Sequence, residues 1–230
     1  MAYPGGKNGA GVYQKIINQM PPHDVYIEPF LGGGAVMDAK RPAAVNIGID
    51  ADADLIEQRR GDTIIAINAD AISFLPELVA EHAAKGSRVL VYADPPYLGS
   101  TRSSTRKIYK HEMMSDEYHL ELLGVLKSLP CMVMISGYAS DLYDKELKGW
   151  RSLSFQAMTR GGFAATEWLW MNFEVPFELH DYRYLGEDFR ERERINRKKK
   201  RWVNRLAQMP PSERYALLDA MNLVRFGEPS

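Results

Sequence analysis

Along the chain, apolar and β-branched runs alternate with stretches whose apolar residues recur at helical spacing. The runs are Val25–Phe30, Ala44–Asp50, Thr63–Asn68, Arg88–Asp94 and Cys131–Ser136. Between them, helical patterns fall near Gly11–Gln19, Ala35–Lys40, Asp52–Arg60, Ala71–Lys85 and Asp116–Leu129. Ser115 stands where an N-cap of the last would stand. Strands separated by helices pair in parallel, so the pattern predicts a doubly wound α/β sheet. Two further strand patterns, Arg151–Met158 and Glu167–Phe173, follow each other without a clear helix between them. They predict an antiparallel hairpin at the sheet edge.

From about Tyr182 the character changes. Asp188–Gln208 is strongly charged and reads as a helix. Pro210-Pro211-Ser212-Glu213 then breaks the chain and opens a second helix, with Tyr215, Leu218, Met221 and Leu223 at roughly helical spacing. The organisation expected is an α/β domain over residues 1–180 and a basic helical appendage over 181–230.

Composition adds limits. Apolar residues make up 45% and charged residues 26% of 230, an ordinary globular balance. No apolar run approaches the roughly 20 residues that span a bilayer, so no membrane partner is expected. The first residues lack a signal-peptide pattern, and the expected location is cytoplasmic. A lone cysteine, Cys131, excludes an intrachain disulfide and a cysteine-rich zinc site, and no metal is expected.

Net charge is −1 but uneven. Arg190–Arg205 carries nine Lys or Arg against two Glu, and Gly99–Lys110 carries Arg102, Arg106, Lys107 and Lys110 with no acid. An acidic body with two basic segments points to a polyanionic partner held at particular places, against the plainer reading of a solvated helix face.

Three strand ends carry candidate chemistry. Glu28-Pro29-Phe30-Leu31-Gly32-Gly33-Gly34-Ala35 is a glycine-rich turn after the first strand, where glycine lets a ligand approach the backbone. It fits neither the G-x-G-x-x-G dinucleotide fingerprint nor a phosphate-binding P-loop. Asp50 ends the second strand, where an acid can accept bonds from both ribose hydroxyls, with Asp52 and Asp54 competing for that role. Asp70 ends the third, placed either to accept from an adenine amino group or to cap the next helix. Gly, Asp and Asp at successive strand ends describe a nucleoside-sized pocket.

Asp94-Pro95-Pro96-Tyr97 closes the fourth strand and decides the chemistry. An adenine amino group is a poor nucleophile because its lone pair is delocalised into the ring. A carboxylate and a fixed carbonyl, each accepting one amino hydrogen, draw that nitrogen towards tetrahedral geometry. Asp94 supplies the carboxylate and Pro95 the carbonyl, and Pro95 and Pro96 restrict the backbone that aims them. Tyr97 offers a face on which an extruded base can stack. Ser136-Gly137-Tyr138 ends the fifth strand beside this motif. His119, in an amphipathic helix, reads as structural, and Trp150, Trp168 and Trp170 as core or edge packing. Cys131 begins a strand, outside any nucleophile loop, which argues against methylation at cytosine C5.

With these motifs the sequence resembles the Dam-type DNA N6-adenine methyltransferases, and most closely their short phage and prophage members. The resemblance covers nearly all of Tyr3 to Asn172. The family's aromatic-x-Gly-Gly-Lys segment is matched by Tyr3, Gly5, Gly6 and Lys7, and its Phe-x-Gly-x-Gly turn by Phe30, Gly32 and Gly34. Its ribose-binding acid corresponds to Asp50, and its Asp-Pro-Pro-Tyr motif is complete at Asp94, Pro95, Pro96 and Tyr97. The resemblance implies a class I methyltransferase fold with S-adenosylmethionine as cofactor and DNA as partner. It implies cofactor contacts from Tyr3, Gly5, Lys7, Glu28, Pro29, Phe30, Gly32, Gly34, Asp50, Asp70 and Asp94.

One departure stands out. Longer Dam-like enzymes carry a target-recognition insertion before the Asp-Pro-Pro-Tyr motif. Here only about 60 residues separate Gly34 from Asp94, and the sheet uses them all. Sequence readout then falls to Leu98–Met114, to the appendage, or to very little, and a short or relaxed site is expected. Arg102, Arg106 and Lys107, with Lys198, Lys199, Lys200 and Arg201 of the appendage, are the candidate nucleic-acid contacts. The alternatives left open are RNA adenine, the amino nitrogen of cytosine, and a non-catalytic nucleic-acid binder. Whether the appendage binds DNA, forms a homodimer, or both also stays open.

Overall fold

The structure is a computed structural model, and it describes residues 7, 11–59, 63–98, 115–158 and 164–225. In chain order the elements are α1 (Val12–Ile17), β1 (Val25–Glu28), α2 (Ala35–Ala39), β2 (Val45–Asp50), α3 (Ala53–Gln58), β3 (Ile65–Asn68), α4 (Ala71–Ala84), β4 (Val89–Ala93), α5 (Asp116–Ser128), β5 (Met132–Gly137), α6 (Asp141–Glu146), β6 (Arg151–Met158), β7 (Ala164–Met171), α7 (Phe189–Gln208) and α8 (Pro211–Arg225).

Seven strands form one sheet in the order β3-β2-β1-β4-β5-β7-β6. The first five are mutually parallel, as alternation with helices predicts. β7 runs antiparallel to β5 and to β6, so it is the reversed strand, and β6 forms the edge. The expected hairpin is present, with its second strand lying between the first and the rest of the sheet. Every residue of β4 is buried, which suits a central parallel strand covered on both faces. One face packs under α4, α5 and α6, through residues such as Leu75, Val79, Leu122, Leu126 and Tyr143. The other packs under α1 and α2, through Ile16, Ile17, Tyr26, Val36 and Leu90.

Strand order reverses between β1 and β4, and ligands in such sheets bind at that crevice, beyond the carboxyl ends. Glu28–Gly34 and Asp94–Tyr97 leave these two strands. A glycine inside β2 serves the same crevice. A Cβ on Gly48 would lie 2.7 and 2.8 Å from the Leu31 δ-carbons, so the bare backbone admits the side chain that opens the glycine turn.

The chain divides into two compact units, Met1–Tyr184 and Leu185–Ser230. The first runs to Tyr184 because side chains fasten the segment after β7. Asp181 Oδ2 accepts from Arg41 N at 2.8 Å, and the Tyr184 hydroxyl donates to the Ala39 carbonyl at 3.0 Å. In the second unit Asp188 caps α7, accepting from Glu191 N at 2.8 Å. None of the residues of α7 is buried. Pro211 occupies the first turn of α8, where its missing N–H costs nothing. Among the described residues, no helix is long and apolar enough to cross a membrane.

Candidate active site

The glycine turn is built from left-handed backbone. Gly32 has φ 48° and Gly34 has φ 66°, conformations that side chains disfavour. Gly34 N closes the turn on the Leu31 carbonyl at 2.7 Å. Asp50 holds it from the neighbouring strand, its Oδ2 accepting from Gly32 N at 2.8 Å and its Oδ1 from Asp52 N at 2.9 Å. Asp52 is the N-cap of α3, accepting from Asp54 N at 3.0 Å, so of the three acids Asp50 is the one tied to the turn. A carboxylate offers about four lone-pair directions. Asp70 caps α4 through Ser73 N at 3.0 Å, the second of its two anticipated roles.

Pro29 is buried behind the turn, and Phe30 packs on the core. Glu28 ends β1 fully within the protein, accepting a bond from the Tyr26 hydroxyl at 3.1 Å. Burial pushes its carboxyl up to about 8; the Tyr26 bond opposes this, and the negative charge of Asp94 adds to it. At neutral pH Glu28 is therefore mostly the uncharged acid.

Across the switch point, Asp94 is the hub. Its Oδ1 receives Lys7 Nζ at 2.8 Å, Ser136 Oγ at 2.7 Å and, more distantly, the Tyr97 hydroxyl at 3.4 Å. Lys7 also donates to the Tyr97 hydroxyl and makes an ionic contact with Glu167 at 3.2 Å. Behind them the Tyr92 hydroxyl meets Ser136 Oγ at 3.0 Å. Burial would lower the Lys7 pKa, but Asp94, Tyr92 and Glu167 outweigh it, and the ammonium is held charged well above its ordinary value. The resemblance places Lys7 with the cofactor-binding segment. The structure places its ammonium on the Asp-Pro-Pro-Tyr motif.

The Tyr97 ring meets Tyr138 edge-on, centroids 4.6 Å apart, so two aromatic rings meet beyond the ends of β4 and β5. Pro96 offers its carbonyl to His119 of α5, whose Nε2 lies 3.1 Å away. Sequence reading missed Glu167, and it took His119 as structural only. The signal for Glu167 was a lone acid in an otherwise apolar strand, and it is nearly buried on β7. Trp170 is buried in the core, with Trp150 and Trp168 packed against it. Burial pushes the Cys131 thiol up to about 12, so it is no thiolate nucleophile.

Tyr3, Gly5, Arg102, Arg106 and Lys107 lie outside the described residues. Lys198, Lys199, Lys200 and Arg201 are consecutive on α7 and so point around the helix. One side of α7 carries a shallow groove of about 460 Å³ lined by Arg197, Lys200, Arg201, Asn204, Arg205 and Gln208. Two of the four anticipated cations line that groove. Among the described residues, no group of three His, Cys, Asp or Glu could hold a metal ion.

Residues 57–160 match the family described as D12 class N6 adenine-specific DNA methyltransferase. The matched span contains Asp94–Tyr97, His119 and Ser136. No curated protein matches the sequence. Among solved structures, a mutant of Spodoptera frugiperda DNMT2 is 15% identical, covering 70% of this chain and 54% of its own, with TM-score 0.45. A dimethyladenosine transferase from Plasmodium falciparum is 14% identical, covering 72% of this chain and 62% of its own, with TM-score 0.45. Magnesium protoporphyrin IX methyltransferase from Synechocystis, with bound SAM, is 12% identical, covering 70% and 75%, with TM-score 0.42.

Proposed function

We propose that this chain, whose residues 57–160 match the D12 class of N6 adenine-specific DNA methyltransferases, methylates the exocyclic amino group of an adenine extruded from DNA. The chain is an S-adenosylmethionine-dependent methyltransferase with a class I, Rossmann-like α/β fold. When bound, S-adenosylmethionine supplies a methyl group on a sulfonium that departs as a neutral thioether, so no protein nucleophile is needed. The residues fit that group: the turn after β1 is left-handed at Gly32 and Gly34, and the Asp50 carboxylate stands beside it for the ribose.

The carrying observation is the asymmetry of Asp94. Oδ1 is engaged by Lys7 and Ser136, while no hydrogen bond reaches Oδ2 from the described residues. Oδ1 anchors the side chain, and Oδ2 accepts one amino hydrogen. The Pro95 carbonyl accepts the other, and Tyr97, in edge-on contact with Tyr138, stacks on the base. Lys7 holds the carboxylate in place before substrate arrives, so the acceptor is pre-aimed. As the bond from the amino nitrogen to the methyl carbon forms and the carbon–sulfur bond breaks, one amino hydrogen leaves as a proton along its hydrogen bond to Asp94 Oδ2 and passes on to solvent. Residues up to Tyr184 form the catalytic domain, and α7 supplies sequence-independent phosphate contacts through its Arg197–Arg205 face.

The test is tritiated methyl transfer to matched unmethylated DNA and RNA, followed by nucleoside analysis. N6-methyladenine from DNA, lost in Asp94→Ala with cofactor binding retained, supports the reading. Label only in RNA, only in cytosine, or undiminished in Asp94→Ala sinks it.

A further inference from the structure

The Asp94–Tyr97 loop is short of donors. Pro95 and Pro96 have no backbone N–H, so the loop cannot pin itself through its own amides at those positions. A donor comes instead from α5. His119 is fully buried, and its Nε2 lies 3.1 Å from the Pro96 carbonyl oxygen. On the other edge of the ring, Nδ1 lies 2.8 Å from the Tyr143 hydroxyl of α6. Tyr143 is buried in turn, its ring centroid 5.0 Å from that of Trp170 on β7. The loop is thus braced through a chain of packed groups that ends in the sheet.

A carbonyl oxygen only accepts, so Nε2 carries the proton. In the neutral ring Nδ1 is then an acceptor, and Tyr143 donates to it. We propose that His119 is a positioning residue for methyl transfer, the neutral Nε2–H tautomer fixing the Pro96 carbonyl and with it the Pro95 carbonyl and the Tyr97 ring. Tyr143 selects that tautomer. The inference rests on the reading of Asp94–Tyr97 as the loop that holds the amino group. A peptide plane released by about 1 Å misaligns the acceptors only where the reaction needs them, at the transfer step. Cofactor binding, which draws on the glycine turn and Asp50, is left intact.

The experiment compares His119→Phe, which keeps the ring volume and removes the bonds to Pro96 and Tyr143, with His119→Gln, whose amide nitrogen can still donate to Pro96. The expected result is kcat about 10- to 100-fold lower in His119→Phe. The KM for nucleic acid and the Kd for S-adenosylmethionine should stay within about 2-fold, and His119→Gln should recover most of the rate. Nitrogen NMR of the wild-type protein should show a neutral ring protonated at Nε2. An unchanged kcat in His119→Phe, a loss that Gln does not recover, or a ring protonated at Nδ1 would overturn the proposal. If His119→Phe does not fold, Tyr143→Phe replaces it. A mixed tautomer with several-fold lower kcat then supports the proposal, and an unchanged tautomer and rate refute it. The comparison is made on whichever nucleic acid the wild-type protein methylates, and the tautomer is read without turnover. Failure of the DNA-adenine reading is therefore separable from failure of the His119 role.

Discussion

Replacing Glu28 by Gln isolates the cost of a buried acid at the end of β1. The ordinary carboxyl value of 4.5 is raised to about 8 by burial. Between those values the folded protein keeps a proton that the unfolded chain has released, so stability falls as pH rises through the window. At about 1.36 kcal/mol per unit of pKa, the full difference is worth about 4 to 5 kcal/mol. Glutamine has no proton to lose, and its carbonyl can accept the Tyr26 hydroxyl bond that Glu28 Oε2 now accepts. Its extra amide hydrogen introduces an offset of about 1 to 2 kcal/mol that does not depend on pH. The informative quantity is therefore the slope. Urea unfolding of both cofactor-free proteins from pH 5 to pH 8 should show wild type losing several kcal/mol relative to Glu28→Gln. Lys40, lowered by burial to about 8 against the opposing charge of Glu28, titrates mostly above that range. Parallel curves would mean that Glu28 ionises near its ordinary value, and the account of its burial would fall.

Gly48→Ala should destabilise the protein by about 1 to 3 kcal/mol in urea unfolding, because its Cβ would displace Leu31. Asp50→Ala should raise the Kd for S-adenosylmethionine at least about 10-fold by calorimetry, since it removes the proposed ribose acceptor and the bond that holds Gly32. The triple change Arg197→Ala, Arg201→Ala and Arg205→Ala should weaken DNA binding across sequences and make the salt slope about 3 less steep. It should leave cofactor affinity alone, and an unchanged slope would remove α7 from the DNA interface.

Much of the sheet was legible because its signal is local. Periodicity located each of the seven strands, and the turn residues located their ends. Ends slipped where backbone chemistry overrides hydrophobicity: β1 stops at Glu28 because Pro29 has no N–H for the ladder, although Phe30 continues the apolar run. The six residues of α6 escaped notice because their one apolar pair, Leu142 and Tyr143, stands among four charged residues. Its legible mark was Ser140, whose hydroxyl accepts from Tyr143 N at 3.3 Å.

The site divides along the same line. Its contiguous parts, the glycine turn and Asp94–Tyr97, could be read directly, whereas its spatial pairs depend on topology. Ser136 reaches Asp94 because β4 and β5 pair Ala93 with Ile135, which brings the next residues side by side at the strand ends. That contact follows once the strand order is known. Lys7 and Tyr97 lie 90 positions apart, with no strand register between them to bring them together. A motif that the resemblance assigns to the cofactor thereby also supplies the cation that grips the catalytic loop. Lys7, from the segment that the resemblance assigns to the cofactor, thus meets Asp94, the carboxylate proposed to accept the amino hydrogen. His119 reaches the same loop at the Pro96 carbonyl, and no sequence signal distinguishes it from an ordinary core residue of α5.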